Sequence, residues 1–222
     1  MKESTAVKVA VLYHFFPHYR GGVIKEISRR FNATFVGDAE GQEGILPYRF
    51  DTERFHRVRT HYLGKLAFQP GSVRYCLFTR DDVLVFLASP NHITTWIGAL
   101  IGRARGKRVV FWGHGFMSSR PSIKNRIRKI FFSLAHSFYA YGWRAKLNAL
   151  SLGAKAERVH VGFNSLDYDS QLPIRRELCA QSIPARDRGT LSVICVSRLT
   201  HICRYDLLLS AMNILQQRGR QA

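Results

Sequence analysis

The sequence predicts a doubly wound α/β fold, with helices covering both faces of a parallel sheet. Two observations carry that expectation. Three runs, at 7–16 (VKVAVLYHFF), 82–88 (DVLVFLA) and 107–112 (KRVVFW), are rich in β-branched and aromatic residues and show little polar alternation. That is the pattern of strands buried on both faces. Between them lie stretches of helical period joined by short connections, so strands and helices alternate along the chain. With 222 residues, 46% of them apolar, the chain holds one such layered unit comfortably and is neither a fibre nor a disordered tail.

Each element follows in order. Pro17 ends the first strand, and a loop through Gly21-Gly22 leads into a helix over 23–31. Residues 33–36 form a second short strand. Residues 38–80 show only loops, a weak strand and basic helical turns. After the strand at 82–88, Asn91 is the expected N-cap of a helix reaching about residue 105. The strand at 107–112 ends in Gly113-His114-Gly115. An amphipathic helix over 122–138, a strand at 138–141, a helix over 143–152 and a strand at 158–162 complete the sheet. The segment 164–189, with Pro173 and Pro184, lacks periodicity and reads as a linker. A new buried strand at 191–197 (LSVICVS) and a helix over 206–217 follow. The expected organisation is therefore a domain at 1–168, a linker at 169–189, and at 190–222 the first strand and helix of an incomplete second domain. Such a pair cannot bury its apolar face alone.

Charge is the abnormal feature. There are 34 Lys and Arg against 15 Asp and Glu, a formal net charge of +19, so the chain should be drawn to polyanions. Residues 83–156 contain no Asp or Glu. Within that span Lys124, Arg126, Arg128 and Lys129, with Arg103, Arg105, Lys107 and Arg108 nearby, predict a face for an anionic membrane surface. The accompanying stripe of Ile123, Ile127, Ile130, Phe131, Leu134 and Phe138 has the spacing of an ordinary core-packed helix face. The stretch 49–65 interleaves basic and aromatic residues, as single-stranded nucleic-acid grooves do. A basic loop with a few core aromatics fits it better, and nucleic acid is not an expected partner.

Cysteine and histidine patterns argue against a metal. Cys76, Cys179, Cys195 and Cys203 form no CxxC pair. Cys195, in an apolar run, is expected as a buried thiol. His14 and His18 are four apart, but Pro17 prevents the helix that would pair them. The N-terminus lacks the pattern of a signal peptide, and 83–101 is broken by Ser89, Pro90 and Asn91, so no membrane span is expected and a cytoplasmic setting is. Two segments bear on ligands. Pro17–Gly22, between a strand and a helix, could bring backbone N–H groups to a phosphate, although spacing alone equally describes a tight turn. His114 lies at the carboxyl end of a buried strand, facing the crevice in which α/β folds bind ligands.

Four segments, in order, resemble the retaining glycosyltransferases of family 4, which have the GT-B fold, and especially bacterial enzymes that build surface polysaccharide such as lipopolysaccharide or capsule. They are YHFFPHYRGG, WGHG, YGWRAKLNALSLGAKAERVHVGFNSLD and VSRLTHICRYDLLLSAMNIL. The resemblance implies a Rossmann-like acceptor-side domain, followed by the start of a similar donor-side domain. It implies transfer of a sugar from a nucleotide-sugar donor to a lipid-linked or polysaccharide acceptor, peripherally at the inner face of the membrane and without a metal cofactor. Gly21 and Gly22 would approach the donor phosphates, and His114 would contact the transferred sugar. Arg198 would bind the diphosphate. The family's next cation falls at Cys203, which leaves Arg204 beside it as the substitute. The paired glutamates of the family lie beyond residue 222, so this chain alone is expected to transfer no sugar. The competing class is a non-catalytic basic module for anionic membrane or nucleic acid.

Overall fold

The computed structural model describes residues 7–42, 44–50, 52–120, 122–163, 167–181, 193–197 and 199–219. They fall into two compact units, 1–173 and 174–222.

The first unit is built on a seven-stranded, wholly parallel sheet. Its strands are β1 (Lys8–Phe15), β2 (Asn32–Asp38), β3 (Phe55–Arg57), β6 (Val83–Leu87), β7 (Arg108–Gly113), β8 (Ser137–Ala140) and β9 (Val159–Val161). Between β3 and β6, β4 (His61–Leu63) and β5 (Leu66–Phe68) form a separate hairpin. The sheet order is β3-β2-β1-β6-β7-β8-β9. The chain steps outward from β1 through β2 and β3, returns to the centre, and then steps the other way, so the order reverses between β1 and β6. The connections carry α1 (Gly21–Arg30), α2 (Pro70–Phe78), α3 (Ile93–Ala104), α4 (Ile123–Ser133) and α5 (Trp143–Ser151). This is the doubly wound Rossmann-like architecture expected from the apolar runs.

β1 shows why those runs lack alternation. Val9, Val11 and Tyr13 pack on one face with Ile24 of α1 and Phe35 of β2. Ala10 and Leu12 pack on the other with Leu84, Phe86, Val109 and Phe111. Both faces are dry, so neither parity of the strand accepts a polar residue. On the second face α3 approaches closely because Gly98 and Gly102 carry no side chain. A Cβ there would stand 2.8 Å from the Phe86 ring or 2.9 Å from Leu84.

Several local expectations are corrected. Residues 38–80 hold more order than their composition suggests: the edge strand β3, the hairpin and α2. Two aromatics of 49–65 pack against the core, with Phe50 and Phe55 stacked at 4.6 Å and Phe50 tilted on Phe35 at 5.0 Å, while Tyr62 is exposed. Asn91 does not cap α3. The N-cap position is His92, without a side-chain cap, because its backbone N–H turns back to the Ser89 carbonyl (3.0 Å) and the Asn91 carbonyl accepts from Ala67 (3.0 Å). The helix expected over 122–138 stops at Ser133. Its last turn tightens, and the His136 N–H bonds the Val109 carbonyl while the His136 Nδ1 accepts from the Val109 N–H, which draws the chain into β8.

The apolar stripe of α4 is only half inward. Phe131 is buried against Phe111, with rings 4.5 Å apart, and Phe138 is buried in β8. Ile123, Ile127 and Ile130 instead face outward, at 76%, 47% and 62% exposure. The register is set by Asn125. Ser122 caps the helix by accepting from the Asn125 N–H, and the buried Asn125 amide donates to the Ser118 and Arg120 carbonyls at 2.8 Å each. Turning the isoleucines inward would strand that amide and those carbonyls.

The segment read as a linker contains α6 (Tyr168–Ala180), with Pro173 inside it. In the second unit, Val193–Ser197 forms no strand and pairs with none among the described residues; Ile194 and Val196 are exposed, as is the Cys195 thiol expected to be buried. A lone apolar segment without a neighbouring strand has no ladder to join. The unit's α7 (Tyr205–Gln217) buries none of its residues; Leu207 is exposed and Leu208, Met212 and Leu215 are half-covered.

Two outcomes follow. Gly115 has φ +66°, and a Cβ there would lie 2.4 Å from the Phe138 ring, whereas Gly106 has φ +70° with open space around it. In urea unfolding, Gly106→Ala should cost only the left-handed backbone penalty of about 1–2 kcal/mol. Gly115→Ala should cost a further ~1–3 kcal/mol from overpacking. The second concerns acid. His14, in β1, and His92, before α3, meet where the strand order reverses, with ring centroids 5.3 Å apart. Burial pushes each imidazole down from its usual 6.5 to about 4. The unfolded chain therefore binds protons that the folded one refuses. Stability should be full above pH ~6.5 and fall as the pH drops towards 4, at about 1.4 kcal/mol per unit of displacement for each group. Denaturation midpoints followed across pH 7 to 4 should flatten in His14→Gln and His92→Gln.

Candidate functional site

The carboxyl ends of β1, β6, β7 and β8 open into a crevice of about 290 Å³. Each strand delivers a side chain or a following residue to it: Tyr13 and His14 from β1, Leu87 from β6, His114 after β7 and Tyr141 after β8. Pro17, Tyr19 and Arg20, between β1 and α1, close one wall. Parallel strands that end together make this a fixed geometric property of the sheet, and open α/β sheets bind ligands at such ends.

Arg20 organises the crevice. It is 8% exposed. Its guanidinium donates to the Tyr141 hydroxyl at 2.5 Å and, at the 3.5 Å limit, to that of Tyr13. The same carbon lies 4.8 Å from the Trp112 ring centroid, 5.2 Å from that of Tyr141 and 5.3 Å from that of Tyr13. The two phenols also meet each other at 3.1 Å. Burial raises the Tyr13 phenol well above its usual 10, with the neighbouring Tyr141 adding to the effect, so Tyr13 stays neutral. Among the described residues no carboxylate lines the crevice.

His114 stands at the edge of this cage, its ring 4.7 Å from Tyr141 and nearly perpendicular to it. Partial burial and then the Arg20 charge hold its imidazole below 6.5. His14 is lowered by burial, then by His92 and Arg20, and its buried Nδ1 has no partner. At neutral pH the crevice therefore offers neutral imidazoles, phenols and one fixed cation. It can hydrogen-bond hydroxyls and stabilise negative charge. Gln69, buried behind it, fixes the end of β1: its amide donates to the Tyr13 and His14 carbonyls (3.2 and 3.1 Å) and to the Thr60 hydroxyl (2.8 Å).

The residues singled out from sequence are placed as follows. His114 lies in the crevice beside the segment that precedes Gly21. Gly21 and Gly22 are not a loop; they are the first residues of α1. Their missing side chains make room for the protein itself. A Cβ on Gly21 would meet Tyr48 at 2.9 Å, and one on Gly22 would meet Asp167 at 3.1 Å. Asp167 is held ionised chiefly by hydrogen bonds from Ser170, and an acidic group suits a helix N-terminus. Arg198 lies outside the described residues. Arg204, in the second unit, is at φ +46° and already forms a forked ion pair with Asp206, the shortest contact 2.7 Å. Lys124, Arg126 and Lys129 are exposed on α4, and Arg128 is half-buried with a bond to Asn125. Among the described residues no cluster of three or more His, Cys, Asp or Glu could hold a metal ion, and no helix is long and apolar enough to cross a membrane.

Sequence reasoning missed Arg20, Tyr13, Tyr141 and Trp112. They are scattered along the chain, and only the strand order brings them together. The available signal was positional, since Trp112 and Tyr141 each end an expected strand.

No family model matches the chain, and no curated protein matches it. Among solved structures its fold is similar to that of the UDP-N-acetylglucosamine 2-epimerase from Rickettsia bellii, with a TM-score of 0.50 and 13% identity over 79% of this chain and 49% of that one. A UDP-GlcNAc 2-epimerase from Neisseria meningitidis bound to UDP-GlcNAc gives 0.50 and 14%, over 78% and 50%. A further UDP-N-acetylglucosamine 2-epimerase gives 0.51 and 14%, over 71% and 48%. The chain thus spans about half the length of the structures it matches. Identities this low speak to the backbone alone: the sheet and its flanking helices are a Rossmann-like fold of the GT-B type, which these epimerases share with glycosyltransferases.

Proposed function

We propose that the chain is the acceptor-side part of a nucleotide-sugar-dependent glycosyltransferase that works on a lipid-linked or polysaccharide acceptor at a membrane surface. One observation carries the reading. A crevice at the strand ends, with no carboxylate among its described lining residues, presents a fixed cation, Arg20, beside a neutral histidine, His114. A leaving diphosphate needs positive charge, and the sugar needs neutral hydrogen-bonding partners. The solved structures of like fold are named for UDP-GlcNAc, and one is bound to it, which supports a nucleotide sugar as the ligand. In this reading His114 contacts the sugar, and by the family resemblance Arg198 and Arg204 are the candidate diphosphate cations. No metal is assigned a role.

α4 favours a transferase with a membrane-bound acceptor over a soluble epimerase. Its outward ridge of Ile123, Ile127 and Ile130 is flanked by Lys124, Arg126 and Lys129. An apolar ridge with basic flanks is the make-up of a helix lying in a lipid interface. α4 follows the carboxyl end of β7, so its first turn stands at the same edge of the sheet as the crevice. A lipid-linked acceptor on that surface would have its sugar near His114.

Two measurements test this. Calorimetric titration with UDP, UDP-glucose and UDP-GlcNAc should show binding, and His114→Ala should weaken a UDP-sugar by about tenfold, or ~1.4 kcal/mol, while changing UDP less. Equal loss for both would move His114 off the sugar. In vesicle sedimentation the chain should prefer anionic over neutral lipid, and the preference should fade as salt rises. Removing the charges of Lys124, Arg126 and Lys129 should lower partitioning by roughly a hundredfold, at about 1 kcal/mol each. Ile127→Asp should weaken binding to both vesicle types. Indifference to lipid charge would end the membrane reading and leave a soluble nucleotide-sugar enzyme.

A further inference from the structure

We infer that Arg20 is the receptor for an oxyanion, a phosphoryl or carboxylate group carried by the substrate that enters the crevice. The inference rests on the reading of this crevice as a substrate site and assigns that substrate a charge.

The argument is a balance of charge and donors. A guanidinium is never deprotonated in proteins and carries five N–H donors. Arg20 spends one on Tyr141 and one, at the 3.5 Å limit, on Tyr13. Its Nε is buried and has no partner. Three of the five donors, by that difference, are unspent. Removing a cation from water costs several kcal/mol unless an anion repays it, and no carboxylate faces Arg20 among the described residues lining the crevice. The groups that do surround it are neutral. Tyr13 is held protonated, and His14 and His114 are held uncharged partly by the Arg20 field itself. The ring faces of Trp112, Tyr141 and Tyr13 keep the planar fork in place and partly offset its desolvation. A planar fork held rigid by aromatic faces, with unspent donors and no carboxylate among the described residues that line the crevice, suits a forked oxyanion. The crevice has room, at about 290 Å³, for a phosphoryl group together with the sugar or alkyl stem that bears it.

The experiment is calorimetric titration of the whole chain with inorganic phosphate and pyrophosphate, and then with octyl phosphate and UDP. Arg20→Gln should weaken oxyanion binding at least tenfold, and Arg74→Gln, which removes an exposed charge on α2, should leave it unchanged. Because Arg20→Gln removes a buried anchor and can unfold, two further readouts stand without it. Tyr141→Phe keeps the ring and frees one more donor, so it should bind phosphate as tightly as the parent or more so. In the parent, NMR titration of His114 should show its pKa rising towards 6.5 when phosphate binds, as the Arg20 field is neutralised. Dependence on Arg20 for octyl phosphate assigns the oxyanion to a lipid-linked acceptor. Dependence for UDP alone assigns it to the donor, and either result upholds the receptor. Equal affinities in Arg20→Gln and Arg74→Gln, or an unmoved His114 at millimolar phosphate, would overturn it. Phosphate binding that persists where UDP-sugars fail to bind would leave the receptor standing and remove the glycosyltransferase reading.

Discussion

Arg20 lies where the ends of β1, β7 and β8 converge, and the local architecture depends on how its charge is kept. Burying it costs several kcal/mol. Against that stand a short bond to the Tyr141 hydroxyl and three aromatic faces within 5.3 Å. A cation–π contact gives about 0.5–2 kcal/mol and a charged hydrogen bond about 1.5–3. The sum is of the same order as the cost, so the guanidinium is tolerated rather than strongly stabilising. It ties three strands together at one point, and it also holds α1, which begins at the next residue, against the sheet edge. Trp112 and Tyr141 are thereby held nearly perpendicular to each other, with ring centroids 6.3 Å apart.

The same charge shapes its surroundings. It helps to keep His14 and His114 neutral, and no carboxylate quenches it among the described residues that line the crevice. α4 answers a different constraint. Asn125, rather than any isoleucine, sets its rotation, because a buried amide that satisfies two loop carbonyls outweighs an outward isoleucine that water merely tolerates. The isoleucines are left on the surface among lysines and arginines. An apolar hollow of about 250 Å³ lies against the same helix, lined by Phe116, Phe132, Phe138 and Leu152 and rimmed by Lys129 and Arg158.

What could be read in the sequence follows burial. β1 was legible because both faces are dry, and β6 and β7 because one face is buried while the apolar residues of the other are half-covered, which gives uninterrupted apolar runs. His114 was legible because it directly follows one of those runs. β3 and the hairpin of β4 and β5 were not: three-residue strands at an edge carry too few side chains to show a period. The rotation of α4 was misread because its spacing is satisfied equally by an inward or an outward isoleucine row, and only Asn125, a polar residue, decides between them. Gly21 and Gly22 invited a ligand-loop reading, but the space they leave is filled by Tyr48 and Asp167. Arg20 had no sequence signature at all. Its partners, Tyr13, Trp112 and Tyr141, are 7, 92 and 121 residues away.

The strand order also bears on how the chain is made. β1 lies at the centre of the sheet, yet its second neighbour, β6, is synthesised only after β2, β3, the hairpin and α2. At roughly 5–20 residues per second on the ribosome, the interval between finishing β2 and finishing β6 is about 2–10 s. Throughout it one edge of β1 is without its partner, and the face of Ala10 and Leu12 is without Leu84 and Phe86. An unpaired, uncharged parallel edge is a template for mispairing. The nascent chain is therefore most vulnerable to aggregation before residue 87 emerges, and a holding chaperone would act in that window.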